Sequence, residues 1–493
     1  MATIDGIDPL RLKEVERIRE QGENPYPYSY EVSATTTQIQ DKGKKLEPGE
    51  SLEDRVGIAG RVMAVRDIGK IAFLDLQDQH GRVQLCVRKN HVGAEAYNRL
   101  KKVATGDIIG VEGNIARTRR GEVSVDVDDH ALLAKALRHL PEKFHGLKDK
   151  ETRYRQRELD LIVNPDSKAV FLKRSRAIAL MRNYLDAQSF VEVEVPTLQT
   201  IYGGASARPF TTQLNALGIP LYLSISPELY LKRLIVGGID RNYTICKNFR
   251  NEGIDKTHNP EFTMMECYAA FWDYNDMMRL TEEMYEHIFR EVNGKTTVTY
   301  DKKELDFAAP WERRTMYDAI KQATGVDVAN MDRDEIIAAI TEHGLKGVPY
   351  VAEEDTRGEL VQEIFEGNVE DTLTGPIFIT DHPKESTPLC KGHRKDPNLI
   401  ERFEPFAAGM EIGNAYSELN DPVLQRQLFE EQAAKLRDGN EEAHPMDHEF
   451  VRALEYGLPP TGGLGLGIDR MVMLLTEQYS IRDVILYPFM RPE

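Results

Sequence analysis

The stretch NYTICKNFRNEGIDKTHNPEFTMMECYAAF, residues 242–271, decides the fold of the second half of this chain. Its pattern predicts a strand, a loop rich in Gly, Asn and Pro, and a return strand. Alternation with a period of two gives the return strand two faces. One face holds Phe262, Met264, Glu266 and Tyr268, and the other holds Thr263, Met265, Cys267 and Ala269. A carboxylate and a phenol on one strand face favour a binding pocket, with a surface hairpin of ordinary salt bridges as the alternative.

The loop of this hairpin carries further candidate residues. Arg250 and Glu252 lie at its start, and His258 and Asn259 lie near its end. A guanidinium pairs bidentately with a carboxylate or a phosphate, so Arg250 is a candidate ligand for either group.

A helix start upstream, SPELYLKRLIVGG at residues 226–238, contains another carboxylate. Ser226 is the predicted cap, and Glu228 falls in the first turn. Glu228 either complements the helix dipole or faces a pocket and binds a cation. This segment alone leaves both readings open.

An acidic segment downstream, RFEPFAAGMEIGNAYSELND at residues 402–421, predicts two strands joined by a tight turn at 407–409. Glu404 and Glu411 would then face each other, and a bound Mg²⁺ would offset their repulsion. Asn414, Tyr416 and Glu418 alternate onto one face, and their parity indicates a bulge near Gly413. A solvated acidic hairpin is the alternative.

A glycine-rich segment, TGGLGLGIDRMVMLLT at residues 461–476, lets another backbone or a nucleotide approach closely. Arg470 follows in the first turn of a predicted helix. The segment lacks the Lys-Ser/Thr ending of a P-loop, and no βαβ unit with an acidic strand end follows it.

Residues 54–137 have a different character, with about five short runs rich in β-branched residues and one helical stretch between the third and fourth. This order predicts an OB-fold barrel, a fold that commonly binds oligonucleotides. Arg66, Phe73 and Gln84 are the candidates for its exposed face, with Phe73 able to stack on a base. From this segment alone, Phe73 as a core aromatic is favoured.

Composition sets outer limits. The chain has 493 residues and a net charge of −18, and its hydrophobic fraction of 41% and charged fraction of 29% exclude global disorder. It has no apolar run of membrane length and no apolar signal core, and its four cysteines are far apart, so we expect a cytoplasmic protein. The net charge alone argues against a nucleic-acid partner, but residues 55–182 are net +10.

Taken together, the motifs resemble those of class II aminoacyl-tRNA synthetases. FRNEG…HNPEFTMMECY is similar to their motif 2, GLGLGIDR to motif 3, and the predicted helix 167–188 running into FVEVEVPTL to motif 1, which contributes to a dimer interface in that family. IYGGASARPF, SPELYLKRL, MEIGNAYSELND and EYGLPPTGG extend the resemblance over nearly the whole chain and point to the lysine-specific enzymes.

The resemblance implies an α+β fold, with an N-terminal OB-fold β-barrel and a class II catalytic domain whose antiparallel sheet is flanked by helices. The implied divisions are an N-terminal helix and extended segment (1–53), an anticodon-binding barrel (54–145), a basic hinge (146–168) and a catalytic domain (169–493) with a mostly helical insertion at 327–380. It also implies a homodimer with tRNA, L-lysine and ATP as partners and no membrane association.

The resemblance also implies residue roles. Arg250 would bind the amino-acid carboxylate and the α-phosphate, and Arg470 the γ-phosphate, which makes these two the expected catalytic residues. The implied ATP contacts are Glu252, His258, Asn259 and Phe262, and the implied Mg²⁺ ligands are Glu404 and Glu411. The implied lysine contacts are Gly204, Glu228, Glu266, Tyr268, Asn414, Tyr416 and Glu418. Tyr416 stands where the family often has Phe, which predicts a slightly more polar pocket.

The rival interpretations are an aspartyl- or asparaginyl-type synthetase, an amino-acid ligase that uses no tRNA, and a non-enzymatic RNA-binding protein with a degenerate synthetase domain. The predicted acidic pocket and the OB-like segment disfavour the first two, because an aspartate pocket needs a cation. The intact Arg250, Glu404, Glu411 and Arg470 disfavour the third.

Overall fold

The computed structural model describes residues 6–141, 147–348, 351, 355–437, 439–440 and 443–492. The chain divides into two compact units, Met1–Lys148 and Asp149–Glu493. Each unit has its own hydrophobic core, and each is described by itself below.

The first unit is built around a closed barrel. Its elements are α1 (Pro9–Glu20), α2 (Thr36–Gly43), β1 (Ser51–Ile68), β2 (Ile71–Gln77), β3 (Arg82–Arg88), α3 (Lys89–Val92), α4 (Ala94–Leu100), β4 (Ile108–Arg117) and β5 (Val123–Ala134). The strands close in the order β1-β2-β3-β5-β4. Alternate residues of β2, including Leu74 and Leu76, point into an apolar interior with Leu85 and Val125. The predicted OB-fold, with its helical stretch between the third and fourth strands, is confirmed; that stretch forms two short helices that meet at Gly93.

The second unit begins with helices. Its elements up to the middle of the chain are α5 (Lys150–Arg155), α6 (Arg157–Val163), α7 (Pro165–Ala187), β6 (Val191–Glu192), β7 (Leu198–Gln199), β8 (Thr211–Leu214), β9 (Ile219–Leu223), α8 (Glu228–Val236), β10 (Arg241–Phe249), β11 (Glu261–Ala270), α9 (Tyr274–Asn293), β12 (Thr297–Tyr300), β13 (Lys303–Asp306) and β14 (Glu312–Thr315). The long helix α7 starts with Pro165 at its first position, where a proline costs no hydrogen bond.

The remaining elements of the second unit are α10 (Met316–Thr324), α11 (Arg333–His343), α12 (Arg357–Asn368), the 3₁₀ helices Glu370–Thr372 and Lys384–Ser386, β15 (Ile377–Pro383), β16 (Leu399–Ala407), β17 (Met410–Glu411), β18 (Gly413–Ser417), α13 (Pro422–Arg437), α14 (His448–Leu454), β19 (Thr461–Gly467), α15 (Ile468–Leu475) and α16 (Ile481–Val484).

The main sheet of this unit has the order β14-β15-β16-β18-β19-β11-β10-β6, with β17 paired to β16. Its central strands are antiparallel, as predicted, whereas the edge pairs β14/β15 and β10/β6 are parallel. Helices α7, α9 and α15 supply apolar residues to one core with the sheet, among them Met181, Met284 and Val472. The opposite sheet face carries polar side chains together with a second apolar cluster, which includes Tyr268 and Tyr416 of the sheet and Phe450 of α14.

The predicted domain limits differ from this division in one region. Of the residues expected to form a basic hinge at 146–168, those from 150 onward fold as α5, α6 and the start of α7 inside the second unit. Arg157 is buried there and donates to Asp160 and to the carbonyl oxygen of Leu486. The predicted limit between barrel and hinge, at 145/146, lies outside the described residues. The predicted insertion contains α11, α12 and the start of β15.

Candidate active site

A cavity of about 680 Å³ lies on the polar face of the sheet in the second unit. It is lined by every residue that the sequence analysis assigned to amino-acid, nucleotide or metal binding. These are Gly204, Glu228, Arg250, Glu252, His258, Asn259, Phe262, Glu266, Tyr268, Glu404, Glu411, Asn414, Tyr416, Glu418 and Arg470. Segments more than 250 residues apart in sequence therefore meet at one site.

The hairpin of β10 and β11 forms one wall. Antiparallel pairing joins Asn248 to Phe262 and Asn242 to Tyr268 without a bulge. Phe262 and Glu266 face the cavity, whereas Met265 and Cys267 lie in the core, so the alternation predicted for this strand is confirmed.

Arg250 supplies a half-buried cation beside this wall. Its guanidinium carbon lies 5.2 Å from the ring centre of Phe262. Its Nε is buried and has no hydrogen-bond partner among the described residues. Burial lowers the pKa of Arg250, but a guanidinium starts so high that it stays charged at neutral pH. The side chain can therefore receive an anionic group.

Arg470 lies in the first turn of α15, as predicted. Its Nη1 donates to the backbone oxygen of Glu411 at 2.5 Å, and its Nη2 lies 3.1 Å from Nε2 of His258. The Nδ1 of His258 is 2.9 Å from Asp255. These contacts join the loop of the β10–β11 hairpin to the helix after β19, and they hold a second cation at the cavity.

The side chain of Asn259 forms hydrogen bonds with the protein backbone. Its Nδ2 donates to the backbone oxygen of Glu261 at 2.6 Å, and its Oδ1 accepts from the backbone N–H of Phe489 at 3.3 Å. The side chain lines the cavity, yet these two bonds also anchor the end of the hairpin loop.

The acidic hairpin has a turn at Ala408–Gly409, both with positive φ, between β16 and β17. Glu411 is paired with Phe406 rather than with Glu404, so the two carboxylates are diagonal neighbours on one face and not directly opposite. The register then shifts by one residue before β18, which is the predicted bulge near Gly413. Arg402 also reaches this face and pairs with Glu404.

Burial raises the pKa of Glu404 to about 7; Arg402 opposes this rise, while Glu411 and Glu366 add to it. Arg402 also donates from Nε to the side-chain oxygen of Asn414 at 3.0 Å. Within the described ranges, no group of three or more acidic, His or Cys side chains is arranged to hold a metal ion by itself. A divalent cation here would need further oxygen ligands from a substrate or from water.

The inner end of the cavity contains Glu228, Glu266 and Glu418, all buried. Glu266 accepts hydrogen bonds from Ser226 Oγ at 2.9 Å and from the hydroxyl of Tyr268 at 3.1 Å. Burial, together with the charge of Glu228, raises the pKa of Glu266 to about 8 against the opposing effects of these donors and of Arg250. The hydroxyl of Tyr416 donates to Glu228 at 2.7 Å.

Two glycines make room for these carboxylates. A Cβ on Gly204, which has φ +86°, would lie 2.7 Å from Ser226 Oγ and 2.9 Å from Glu228 Cβ. A Cβ on Gly463 of β19 would overlap the carboxylate of Glu418. The backbone at both positions therefore borders the acidic end directly.

The start of α8 differs slightly from the prediction. Pro227, not Ser226, occupies the cap position, although Ser226 Oγ still accepts from the N–H of Glu228 at 3.1 Å. Glu228 is buried in the cavity wall, so it does more than complement the helix dipole at a solvated surface.

Sequence reasoning missed several residues of the site. Lys232 is buried one helical turn after Glu228, a spacing that predicts an ion pair, and it contacts both Glu228 and Glu418. The predicted insertion, which shows no recognisable chemistry in sequence, supplies Glu363 and Glu366 of α12 to the cavity wall. His444 also lines the cavity, and nothing in its local sequence indicates this.

The barrel of the first unit presents a separate polar surface. Arg66 pairs with Phe73 across β1 and β2, and Gln84 of β3 pairs with Asp75, so these side chains share the outer face. Phe73 is half-buried and lies outside the apolar interior, so its interpretation as a core aromatic is wrong. Arg66 also donates to Asp75 at 3.1 Å.

Comparisons with known proteins agree with this architecture. The family of class II tRNA synthetases (D, K and N) matches residues 149–491, and the family of OB-fold nucleic acid binding domains matches residues 56–133. In the described part of the chain, no helix has the length and apolar character needed to cross a membrane.

Curated relatives match over nearly the full length. A lysine–tRNA ligase of Methanoculleus marisnigri is 50% identical over 98% of this chain and 95% of its own. Lysine–tRNA ligases of Moorella thermoacetica and Thermotoga maritima are 50% and 48% identical, each over 98% of this chain and over 97% and 95% of their own. Since the synthetase match spans the larger unit, which contains the cavity, and these relatives match over nearly the whole chain, the chain belongs to the class II tRNA synthetases (D, K and N).

Proposed function

We propose that this chain attaches L-lysine to tRNA in two steps at the cavity of its second unit. Lysine and ATP first form lysyl-adenylate and pyrophosphate, and the terminal hydroxyl of the tRNA then takes the lysyl group and releases AMP. The observation that carries this proposal is the acidic inner end of the cavity. Buried carboxylates suit the ammonium groups of lysine, whereas an aspartate substrate would require a cation in their place.

Lysine lies with its side chain toward Glu266, Glu418 and Tyr268, and with its α-amino group toward Glu228 and the backbone at Gly204. Tyr416 and Asn414 complete the pocket wall. The carboxylate of lysine then points to Arg250, whose buried Nε has no partner among the described residues. Opposite charges at the two ends of the pocket fix the orientation of the substrate.

ATP occupies the outer part of the cavity. Its adenine stacks on Phe262, and its phosphates lie near Arg250, Arg470, Glu252, His258 and Asn259. The lysine carboxylate attacks the α-phosphate in line and pyrophosphate leaves. Catalysis consists of positioning and charge neutralisation by the two arginines, since the substrate itself is the nucleophile.

Mg²⁺ fits the donor set of the acidic hairpin. Glu404 and Glu411 share a face, and carboxylate and phosphate oxygens are the ligands this ion prefers. When bound, it neutralises charge on the phosphates. Activation of lysine that persists in excess EDTA would contradict this assignment.

The barrel face of Arg66, Phe73 and Gln84 binds the tRNA anticodon. Exposed strands with a ring and hydrogen-bonding side chains suit unstacked bases. The net charge of +10 over residues 55–182 supports contact with phosphates and predicts charging that weakens with salt.

The chain acts as a cytoplasmic homodimer. Its cysteines are all free, which suits a reducing compartment. Leu172 of α7, Val191 of β6 and Leu198 of β7 are exposed apolar residues near the motif 1 region, and they support a dimer contact there. The mass of a single chain in light scattering at micromolar concentration would contradict the dimer.

Amino-acid-dependent ATP–pyrophosphate exchange tests the activity and the pocket together. Among the twenty amino acids, we expect lysine alone to support efficient exchange. Glu418→Gln should raise the KM for lysine about 100-fold or more, because the substrate ammonium loses a buried carboxylate, while the KM for ATP stays within about threefold. Equal lysine KM values in the variant and the parent protein would reject the pocket assignment.

The pH dependence of lysine binding tests Glu266. Because its pKa in the free protein is about 8, this carboxyl group holds a proton at pH 7 and must lose it to accept an ammonium. We expect kcat/KM for lysine to rise between pH 6.5 and 8.5. Calorimetry at pH 7 in buffers of different ionisation enthalpy should detect proton release on lysine binding, and an absence of net release would contradict the prediction.

Phe73→Ala tests the barrel face. Stacking of a base on an aromatic ring contributes about 1–3 kcal/mol, so kcat/KM for tRNA in the charging reaction should fall about fivefold or more. Lysine-dependent exchange should stay unchanged, because the cavity belongs to the other unit. Tyr28→Ala, at a fully exposed aromatic outside the barrel strands, is the matched control. A parallel loss of exchange in Phe73→Ala would indicate a damaged fold and overturn the assignment.

A further inference from the structure

Lys232 is a fully buried ammonium at the acidic end of the cavity. Its Nζ lies 2.6 Å from Glu228 Oε1 and forms a shorter ion pair with Glu418 Oε2. It also lies over the ring of Tyr416, at 5.5 Å from the centroid, and near the ring of Phe450, at 6.0 Å. The ammonium group is therefore inaccessible to water, and it is surrounded by carboxylates and aromatic rings.

The carboxylate oxygens that Lys232 does not contact, Glu228 Oε2 and Glu418 Oε1, differ in their hydrogen bonding. Glu228 Oε2 accepts from the hydroxyl of Tyr416. Glu418 Oε1 is buried and has no hydrogen-bond partner among the described residues. It lies where a side chain on Gly463 would be, in the lining of the cavity. Lys232 therefore holds one oxygen of Glu418 and leaves the other toward the substrate.

The charges of the pocket match lysine only when Lys232 is included. Once Glu266 has lost its proton on lysine binding, three carboxylates, Glu228, Glu266 and Glu418, meet one internal ammonium. Two negative charges then remain for the two ammonium groups of the substrate. Arg250 remains for the substrate carboxylate. His444 adds no charge at neutral pH, because burial, with a further contribution from Lys232, lowers its pKa to about 4.

We infer that Lys232 is a positioning residue for amino-acid recognition: a fixed internal cation that orients Glu228 and Glu418 and sets the number of positive charges the pocket accepts at two. This inference rests on the proposed function, since it concerns how the same site selects lysine. Lys232 is fully buried and is not among the residues that line the cavity, so it acts through the two glutamates.

The electrostatics of the pair agree with this role. Burial alone would lower the pKa of Lys232, but Glu228 and Glu418 outweigh it and raise that pKa, so the ammonium stays charged. Burial, Glu228 and Glu266 raise the pKa of Glu418, and Lys232 acts in the opposite direction. Removing Lys232 therefore favours protonation of the carboxylate that the substrate ammonium needs.

The pH dependence of lysine binding also depends on the titratable and charged groups that surround Lys232. They are Glu228 on α8, Glu266 and Tyr268 on β11, Tyr416 and Glu418 at β18, Cys390, His444 and Arg250. Burial raises the pKa of Cys390 and the pKa values of both tyrosines, so these three groups stay neutral in the working range.

Lys232→Met in the full-length chain tests the inference by ATP–pyrophosphate exchange. The KM for lysine should rise about 30-fold or more, because a buried carboxylate has lost its partner, while the KM for ATP stays within about threefold. The rise of kcat/KM for lysine with pH should move to higher pH, and Lys232→Arg, which keeps the charge, should restore the parent pH profile. Lys321→Met removes an exposed lysine that pairs with Asp327 at 2.7 Å, and it should change none of these values.

A double variant keeps the test decisive if Lys232→Met fails to fold. Lys232→Met/Glu418→Gln removes the ammonium together with the charge of one of its two carboxylate partners, and Glu228 keeps the hydrogen bond from Tyr416, so the variant is expected to fold. It should bind lysine no more than about threefold more weakly than Glu418→Gln alone, since Lys232 acts largely through Glu418. The inference would be overturned if the double variant lost lysine affinity by the product of the two single-variant losses. It would also be overturned if Lys232→Met had an unchanged lysine KM and pH profile. Failure of the parent protein to show lysine-dependent exchange would instead reject the proposed function.

Discussion

Buried carboxylates that lie close together destabilise a fold unless cations and hydrogen-bond donors offset their desolvation and repulsion. The second unit of this protein is organised around that constraint. Ser226 and Tyr268 donate to Glu266, Tyr416 donates to Glu228, and Lys232 pairs with both Glu228 and Glu418. This compensation is incomplete: the pKa of Glu266 stays raised, and Oε1 of Glu418 has no hydrogen-bond partner in the part of the chain that the structure describes. A substrate that bears ammonium groups supplies the missing positive charge.

The two faces of the central sheet in the second unit have different roles. One face of the central strands packs against α7, α9 and α15 in an apolar core, which supplies the stabilisation. The other face carries the polar network. Along β11 the residues alternate between the two faces, so that Met264 and Glu266 line the cavity while Met265 and Cys267 lie in the core. The barrel has a core of its own, so a polar outer face there imposes no cost on the catalytic unit.

Much of the site could be predicted from sequence because its residues lie on short elements of regular period. Period-two alternation identified Glu266 and Tyr268, and the parity change before Asn414 identified the bulge that the register contains. Lys232, Arg402 and the acidic residues of α12 could not be found in this way, since their roles depend on which elements meet in space. The diagonal placement of Glu404 and Glu411 likewise depends on a turn of two residues at Ala408–Gly409, a register detail that composition does not specify. Phe73 shows the same limit in reverse, because only the closed barrel reveals which face of β2 points outward.

Gly463 gives this architecture an unexpected fragility. The position bears no functional group, yet the smallest side chain added there would occupy the space of the Glu418 carboxylate and crowd the ring of Tyr268. A systematic alanine scan, which ranks glycine-to-alanine among its mildest exchanges, would meet one of its most severe effects at this strand position. Tolerance to substitution in this protein therefore depends on the space beside glycine Cα atoms as much as on the charged residues that occupy that space.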